Sequence, residues 1–418
     1  MTAGNRRVLV TGLGAVTPLG GDVPSTWEGL LAGRTGIRLL DGPGYDDFPV
    51  RIGAPAAVDP AGELPRATSR KLDRCQQFAM VAAREAWRDA GLPEPGGEDA
   101  LPGERLAVSI GTGLGGSASM FDSWLTLQDK GVRRFSPFTA GRVIPCAAAS
   151  WVGLEYGAKA AVETPVAACA TGNDALRRGW ELIRSGKADV VVAGGAEALL
   201  HPFGLAIFIS MRALSDRNDE PERAVRPFGK GRGGFALGEG AALMILESAE
   251  HASRRGARVY AELAGAGWNA DGYDFAQPDP SGAGQTASIR EALDSAGLTP
   301  EEIVHVNAHA AGTPLGDATE ALSIRTVLGP HAGKAVVTSA KAAVGHLMGA
   351  AGAIESIATV LALHHRLVPP TLNQDDYDHE IALDVAAAPR ALPGGPVAAL
   401  NNSFGLGGHN VVTAYRSV

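Results

Sequence analysis

The feature that most constrains this chain is a repeated alternation. Short β-branched runs are followed by glycine-rich turns and then by longer amphipathic stretches. In the first half Arg7–Thr11 (RVLVT), Leu106–Ile110 (LAVSI) and Asp189–Ala193 (DVVVA) read as strands, and Gln76–Ala90 carries helical periodicity. The second half follows the same alternation, with helix Ile289–Ser295, strand Ile303–Asn307, helix Asp317–Leu328, strand Ala335–Ser339 and helix Ala350–His364. Strands and helices in alternation predict an α/β protein whose parallel or mixed sheets are buried under helices. Ala241–Glu247 (AALMILE) and Val259–Leu263 read as an antiparallel pair around a charged, helix-like segment. Leu92–Gly103, rich in Gly, Pro and acidic residues, reads as an exposed loop. A division falls near residue 250, giving halves 1–250 and 251–418. No flexible linker separates them, so they are expected to share one core.

Composition narrows the function classes. With 418 residues and 45% hydrophobic content, a large buried core is available. The net charge is −8 and no long basic stretch occurs, which argues against nucleic acid as partner. No run reaches the roughly 18 apolar residues of a membrane span. The opening stretch MTAGNRRVLVTGLGAVTPLGG is broken by Gly and Pro, and reads as strand then loop rather than signal peptide. Cys75, Cys146 and Cys169 are too few and too scattered for a disulfide framework or a zinc cage, and suit a reducing cytoplasm. The histidines show no metal-ligand spacing, so no metal site is expected.

Cys169 stands out among the three. It lies between the short apolar run Thr164–Ala168 and the helical spacing of Ala170–Ser185. A cysteine at a helix start meets free N–H groups and the positive end of the dipole, which favour thiolate. Small neighbours leave room for a substrate, and such a sharp turn has the logic of a nucleophile elbow. Cys75 sits inside a helical stretch and Cys146 follows Pro145, and both read as structural. His309 follows the strand VHVNA in a turn of Gly and Pro, and His346 stands near the start of a Gly/Ala-rich helix. A helix start disfavours imidazolium, so His346 is expected neutral and able to donate one N–H to an oxygen gaining charge. Lys341 and Glu355 flank it and are placed to balance that charge.

With these residues assembled, the chain resembles the β-ketoacyl-[acyl-carrier-protein] synthases of the elongating type, in the thiolase-like superfamily. The likeness runs through RRVLVTGLGAVTPLG, AACATG, VVVAGGAEA, RALSDRND, RPFGKGRGGFALGEGAA, NAHAAGTPLGD, KAAVGHLMGAAGAIES, PPTLN and NNSFGLGGHNV, and the GGHNV ending and Ala-rich composition are similar to actinobacterial members. The resemblance implies a five-layered αβαβα fold of two similar halves, usually dimeric. It implies Cys169 as acyl-accepting nucleophile, His309 and His346 as the catalytic histidines, Lys341 as supporting lysine and Glu355 as its buried acidic partner. Phe404 corresponds to the gating phenylalanine, whose N–H would form an oxyanion hole with that of Cys169. Leu114 and Phe208 fall where the family lines its acyl pocket, and Thr313 where a hydroxyl meets the pantetheine arm. Arg70, Lys71, Arg74 and Arg212 correspond to docking charges for an acidic acyl carrier protein. No cofactor is implied, because phosphopantetheine arrives on that carrier.

Departures bear on substrate and pathway. Ala311 replaces a usual Thr after Ala310, Ala340 and Ala342 replace hydroxyl residues beside Lys341, and Leu406 replaces a usual Phe. The partner implied is either a second copy or, as in type II polyketide synthases, a related chain-length-factor subunit. A nucleotide-binding oxidoreductase is the chief rival. Gly111–Gly116 and Gly229–Gly234 both fit G-x-G-x-x-G, but the confirming context is a second strand ending in an acidic residue about 20 residues on, and Asp129, followed by KGVRRFSPF, is a poor candidate for it. A degradative thiolase would need a second cysteine near the C-terminus, and the last cysteine here is Cys169.

Overall fold

The computed structural model describes residues 6–418 except Pro43 and Glu98, so the first five residues and one position of the Leu92–Gly103 loop lie outside it. Eleven strands form the principal sheet among the described residues. They are β1 (Val8–Val16), β2 (Leu106–Gly111), β3 (Ala161–Glu163), β4 (Val190–Glu197), β5 (Gly240–Ser248), β6 (Ala261–Ala270), β7 (Ile303–Asn307), β8 (Val336–Thr338), β9 (Asp384–Val385), β10 (Ala398–Gly405) and β11 (His409–Arg416). The helices that frame the site are α1 (Arg74–Asp89), α2 (Ser117–Lys130), α3 (Ala147–Tyr156), α4 (Thr171–Arg184), α5 (Pro202–Ser210), α6 (Ala283–Ala296), α7 (Pro314–Leu328) and α8 (Ala351–His365).

Strand order is β9-β8-β7-β10-β11-β6-β1-β5-β4-β2-β3. Read outward from the centre, each half has its first strand, then its fifth, fourth, second and third. In both halves the first two pairings are antiparallel and the next two parallel. Only β9 falls outside this repeat, extending the second half as a parallel edge strand. The halves meet where β1 and β6 pair through Leu9–Glu262 and Val10–Ala261 alone. The two half-sheets thus stack as separate layers. Helices α4 and α8 lie between them, α1 and α3 cover one outer face, and α6 with α7 covers the other. These are the five layers α-β-α-β-α.

Local sequence explains the layers. Asp73 caps α1 and closes a capping box with Gln76, and the helix then buries Phe78, Ala79, Ala82, Ala83 and Ala86. Strand β1 runs so close beneath it that a Cβ on Gly14 would stand 2.0 Å from the Ala82 carbonyl oxygen. Helix α8 is apolar nearly all round, Ala351 to Leu363 being buried, as a helix between two sheets must be. One expectation is corrected. The runs around 241–247 and 259–263 do not pair with each other; β5 and β6 flank β1 on opposite sides. Both carry the pattern of an antiparallel strand, but the pattern does not name the neighbour, and β1 inserts between them from over two hundred residues upstream.

Candidate active site

The two central helices begin alike. Ala168 has a left-handed φ of 49°, Cys169 and Ala170 complete a tight turn, and α4 starts at Thr171. Met348 has a φ of 46°, Gly349 and Ala350 complete the matching turn, and α8 starts at Ala351. Left-handed backbone on residues with a Cβ costs roughly 1–3 kcal/mol and persists where the surroundings enforce it. The first turn is fixed by the Ala167 N–H, which donates to Thr171 Oγ1 at 2.8 Å.

Cys169 is 7% exposed and packs in an apolar cluster with Phe208, Ala311 and Met348. That burial pushes its thiol up to about 11, opposed by the Lys341 charge and by the Leu406 N–H, which bonds the sulfur. The helix start was expected to lower this value. Loss of hydration outweighs the Lys341 charge and the Leu406 N–H, so the resting group is a neutral thiol.

His309 and His346 face each other with ring centres 5.5 Å apart, and Phe404 stands 6.0 Å from His309. Burial, then the nearby Lys341 cation, holds both imidazoles well below their ordinary range, so both are neutral at pH 7. His346 precedes the Met348 turn, held through its backbone by Ala236 and Gly238. Its Nδ1 accepts from the Met348 N–H at 3.2 Å, which places the single ring proton on Nε2. Phe235 packs edge-on against the same ring at 4.9 Å. Lys341 is wholly buried and its Nζ donates to Glu355 Oε1.

A cavity of about 410 Å³ gathers Cys169, Phe208, Arg212, His309, Thr313, His346 and Phe404, together with Ala311 and Leu406. Lys341 and Glu355 do not line it. Their charge acts from within the core. Leu114 lies outside the lining and is exposed. Arg70, Lys71 and Arg212 are exposed, whereas Arg74 is engaged with Glu239 and Asp59. Among the described residues no group of three or more His, Cys, Asp or Glu is arranged to hold a metal ion, and no helix is long and apolar enough to cross a membrane.

Sequence reasoning missed four groups: the Leu406 N–H and the buried carboxyls Glu197, Asp317 and Glu320. Glu320 accepts from the N–H groups of His309 and Ala310, and Asp317 from those of Gly312 and Thr313, so together they hold the His309 loop. Their signal was available as acidic residues within buried runs, such as Glu197 after VVVAGGA. Both G-x-G-x-x-G loops also find their anion inside the protein. Gly113 N–H donates to Glu197 and Gly231 N–H to Asp376, so neither loop presents a free phosphate cradle.

Burial pushes Glu85, Glu197, Asp317 and Glu355 up to about 7. Unfolded carboxyls titrate near about 4. Between those values these four carboxyls bind more protons folded than unfolded, so their contribution to stability is fully present at about pH 4 and lost as pH rises through about 7. The buried neutral His305, His309 and His346 act in the opposite sense below about pH 6.5 and offset part of it. The unfolding temperature is expected to fall by several degrees from about pH 6 to about pH 8. A flat or rising calorimetric profile over that range would contradict these burial effects.

Comparison with known proteins places the chain. The β-ketoacyl synthase N-terminal domain family matches residues 5–252, and the β-ketoacyl synthase C-terminal domain family matches 260–375. A 3-oxoacyl-[acyl-carrier-protein] synthase 2 of Mycobacterium tuberculosis is 43% identical over 412 residues, covering 98% of this chain and 96% of that protein. A type II polyketide synthase acyl-carrier protein in complex with its ketosynthase bound to the hexaketide superposes with TM-score 0.90 at 32% identity, covering 99% of both chains. The ishigamide ketosynthase/chain length factor superposes with TM-score 0.88 at 32% identity, again over 99% of both. The layers and the repeated half-sheet are therefore those of the thiolase-like fold, and the chain belongs to the β-ketoacyl synthase family.

Proposed function

We propose that the chain is an elongating 3-oxoacyl-carrier synthase, an acyltransferase that condenses a Cys169-bound acyl group with malonyl-carrier. The observation that carries this reading is the convergence of one buried thiol and two neutral imidazoles on a single cavity. In the first half-reaction the Cys169 sulfur attacks an acyl thioester on the carrier protein. The carrier thiol leaves with the proton that the Cys169 thiol gives up, so the exchange is neutral overall. The N–H groups of Cys169 and Phe404 hold the tetrahedral oxyanion, at about 3 kcal/mol per donor. The Leu406 N–H and the Lys341 charge offset part of the cost of forming thiolate in so dry a place. In the second half-reaction malonyl-carrier loses carbon dioxide, and the released electron pair becomes an enolate. His346, through Nε2–H, and His309 stabilise its oxygen. The enolate carbon attacks the Cys169 thioester, sulfur leaves and takes up a proton, and the product is a 3-oxoacyl chain two carbons longer.

The partners follow from the surface. Arg70, Lys71 and Arg212 receive an acidic carrier bearing phosphopantetheine. Arg74, already paired, contributes less. Strand β3 is an edge of the principal sheet among the described residues and exposes its own Val162, with exposed Val166 three residues beyond the strand's end, which suits a second subunit. The departures at Ala311, Ala340, Ala342 and Leu406, with the polyketide ketosynthases among the solved relatives, favour as second reading the catalytic subunit of a heterodimer. All three cysteines are free, which fits a reducing cytoplasm.

Incubation with acyl-carrier is expected to add one acyl mass to the intact protein, and malonyl-carrier then to release carbon dioxide and the longer product. A chain that gains no acyl mass and releases no carbon dioxide would sink the assignment. Purification from the native host separates the two readings, since only the second brings down a related chain lacking the cysteine.

A further inference from the structure

Glu197 ends β4, is wholly buried, and gathers donors from both halves. Its Oε1 accepts from the Thr112 hydroxyl at 3.0 Å. Its Oε2 accepts from the Gly113 N–H at 2.7 Å and the Gly349 N–H at 3.0 Å, and the Leu114 N–H also bonds the carboxyl. The approach leaves no room for side chains: a Cβ on Gly349 would lie 2.9 Å from Glu197 Oε2 and 2.5 Å from the Gly113 nitrogen. Residue 348 is bonded the other way. Its N–H donates to His346 Nδ1, while the next N–H, that of Gly349, donates to Glu197. One residue in a left-handed conformation therefore stands between the imidazole and the carboxylate.

We propose that Glu197 is a positioning residue for His346: by holding the Gly349 N–H it fixes the Met348 turn, keeps the Met348 N–H on Nδ1, and so keeps the Nε2 proton turned into the cavity. This rests on the reading of His346 as a donor to the enolate. If the Gly349 amide is released, the turn keeps only its own backbone bonds, Ala350 N–H to the Leu347 carbonyl and Ala351 N–H to the Met348 carbonyl, and loses its tie to the other half, so the Met348 N–H is no longer held in register with Nδ1. Cys169 packs beside Met348 but depends on this link less than His346 does, because it has a tie of its own. Its turn is fixed by Thr171 in the other half, and removing the Glu197 charge takes away one influence that raises the thiol.

The test is Glu197→Gln, which keeps the size but sets an NH2 group among N–H donors. Carbon dioxide release from malonyl-carrier and overall condensation are expected to fall roughly 10- to 100-fold, the scale of a small misplacement of a reacting group. Acylation of Cys169, followed by intact mass, should stay within about twofold or become faster. Nitrogen NMR of histidine-labelled enzyme should show the His346 tautomer signal shifted or broadened in the variant. Should the glutamine variant not fold, Glu197→Asp keeps the charge, shortens the reach to Gly349, and is expected to give the same split. Equal slowing of both half-reactions, or an unaltered decarboxylation rate with an unaltered His346 signal, would overturn the proposal. Failure of the underlying reading looks different, because wild-type enzyme would then show neither acylation nor decarboxylation.

Discussion

Cys169→Ala is expected to remove the acyl adduct completely and to lower condensation by at least about 10⁴-fold, the scale seen when a covalent nucleophile is deleted. The size of the effect follows from the absence of any substitute. Cys75 is sealed within α1 and Cys146 lies outside the cavity lining. The loss should be confined to chemistry. Alanine lacks only the sulfur atom, a small loss of volume at the edge of an open cavity, so stability should change by no more than about 1 kcal/mol. The imidazoles keep their burial and their Lys341 neighbour, and carbon dioxide release from malonyl-carrier should continue. Intact-protein mass spectrometry reads the first half-reaction and gas release the second. An adduct of full strength on the alanine enzyme would end the assignment of Cys169.

Lys341→Met should have the second largest effect, and on two properties at once. It strands Glu355 without a partner in the core, a change that elsewhere costs about 3–5 kcal/mol. Glu355 can escape by staying protonated, since burial already pushes it up to about 7. The drop in unfolding temperature should therefore be larger at about pH 8 than at about pH 6. The second property is activity. Without the buried cation the thiol climbs further and both imidazoles drift back towards protonation, so condensation should fall about 100-fold. The double variant Lys341→Met with Glu355→Leu separates the two. It should recover most of the stability and none of the activity. Recovery of both would mean that the pair serves only packing.

Much of the fold and site was legible in the amino-acid sequence. Most strand and helix runs overlap their expected positions because their apolar periodicity is local, although the first strand runs on to Val16, the strand expected to end at Leu263 runs on to Ala270, and the helix expected from Ile289 begins at Ala283. Cys169, His309 and His346 were legible because each sits where an apolar run gives way to Gly and Ala, and all three do meet at one cavity. The repeat of five strands in one order was not legible. It resides in which strands pair, as the misassigned partnership of β5 and β6 illustrates. The sign of the Cys169 shift was also out of reach, since a helix start is local but the enclosure by Phe208, Ala311 and Met348 comes from distant segments. Glu197 was invisible as a positioning group for a related reason: its donors at 112–114 and at 349 are brought together only by the stacking of the halves.

The paired turns at the heads of α4 and α8 set the enzyme's stoichiometry. Equivalent positions hold Cys169 in one and Gly349 in the other. Gly349 has no space for a side chain, because the Gly113 nitrogen and the Glu197 carboxylate already fill it. The second turn offers its backbone N–H to steady the histidine instead of a group that could be loaded. On the proposed reading of Cys169, each chain would hold one thioester at a time, and a dimer's capacity would count its cysteine-bearing subunits: two for a pair of identical chains, one where the partner lacks the thiol.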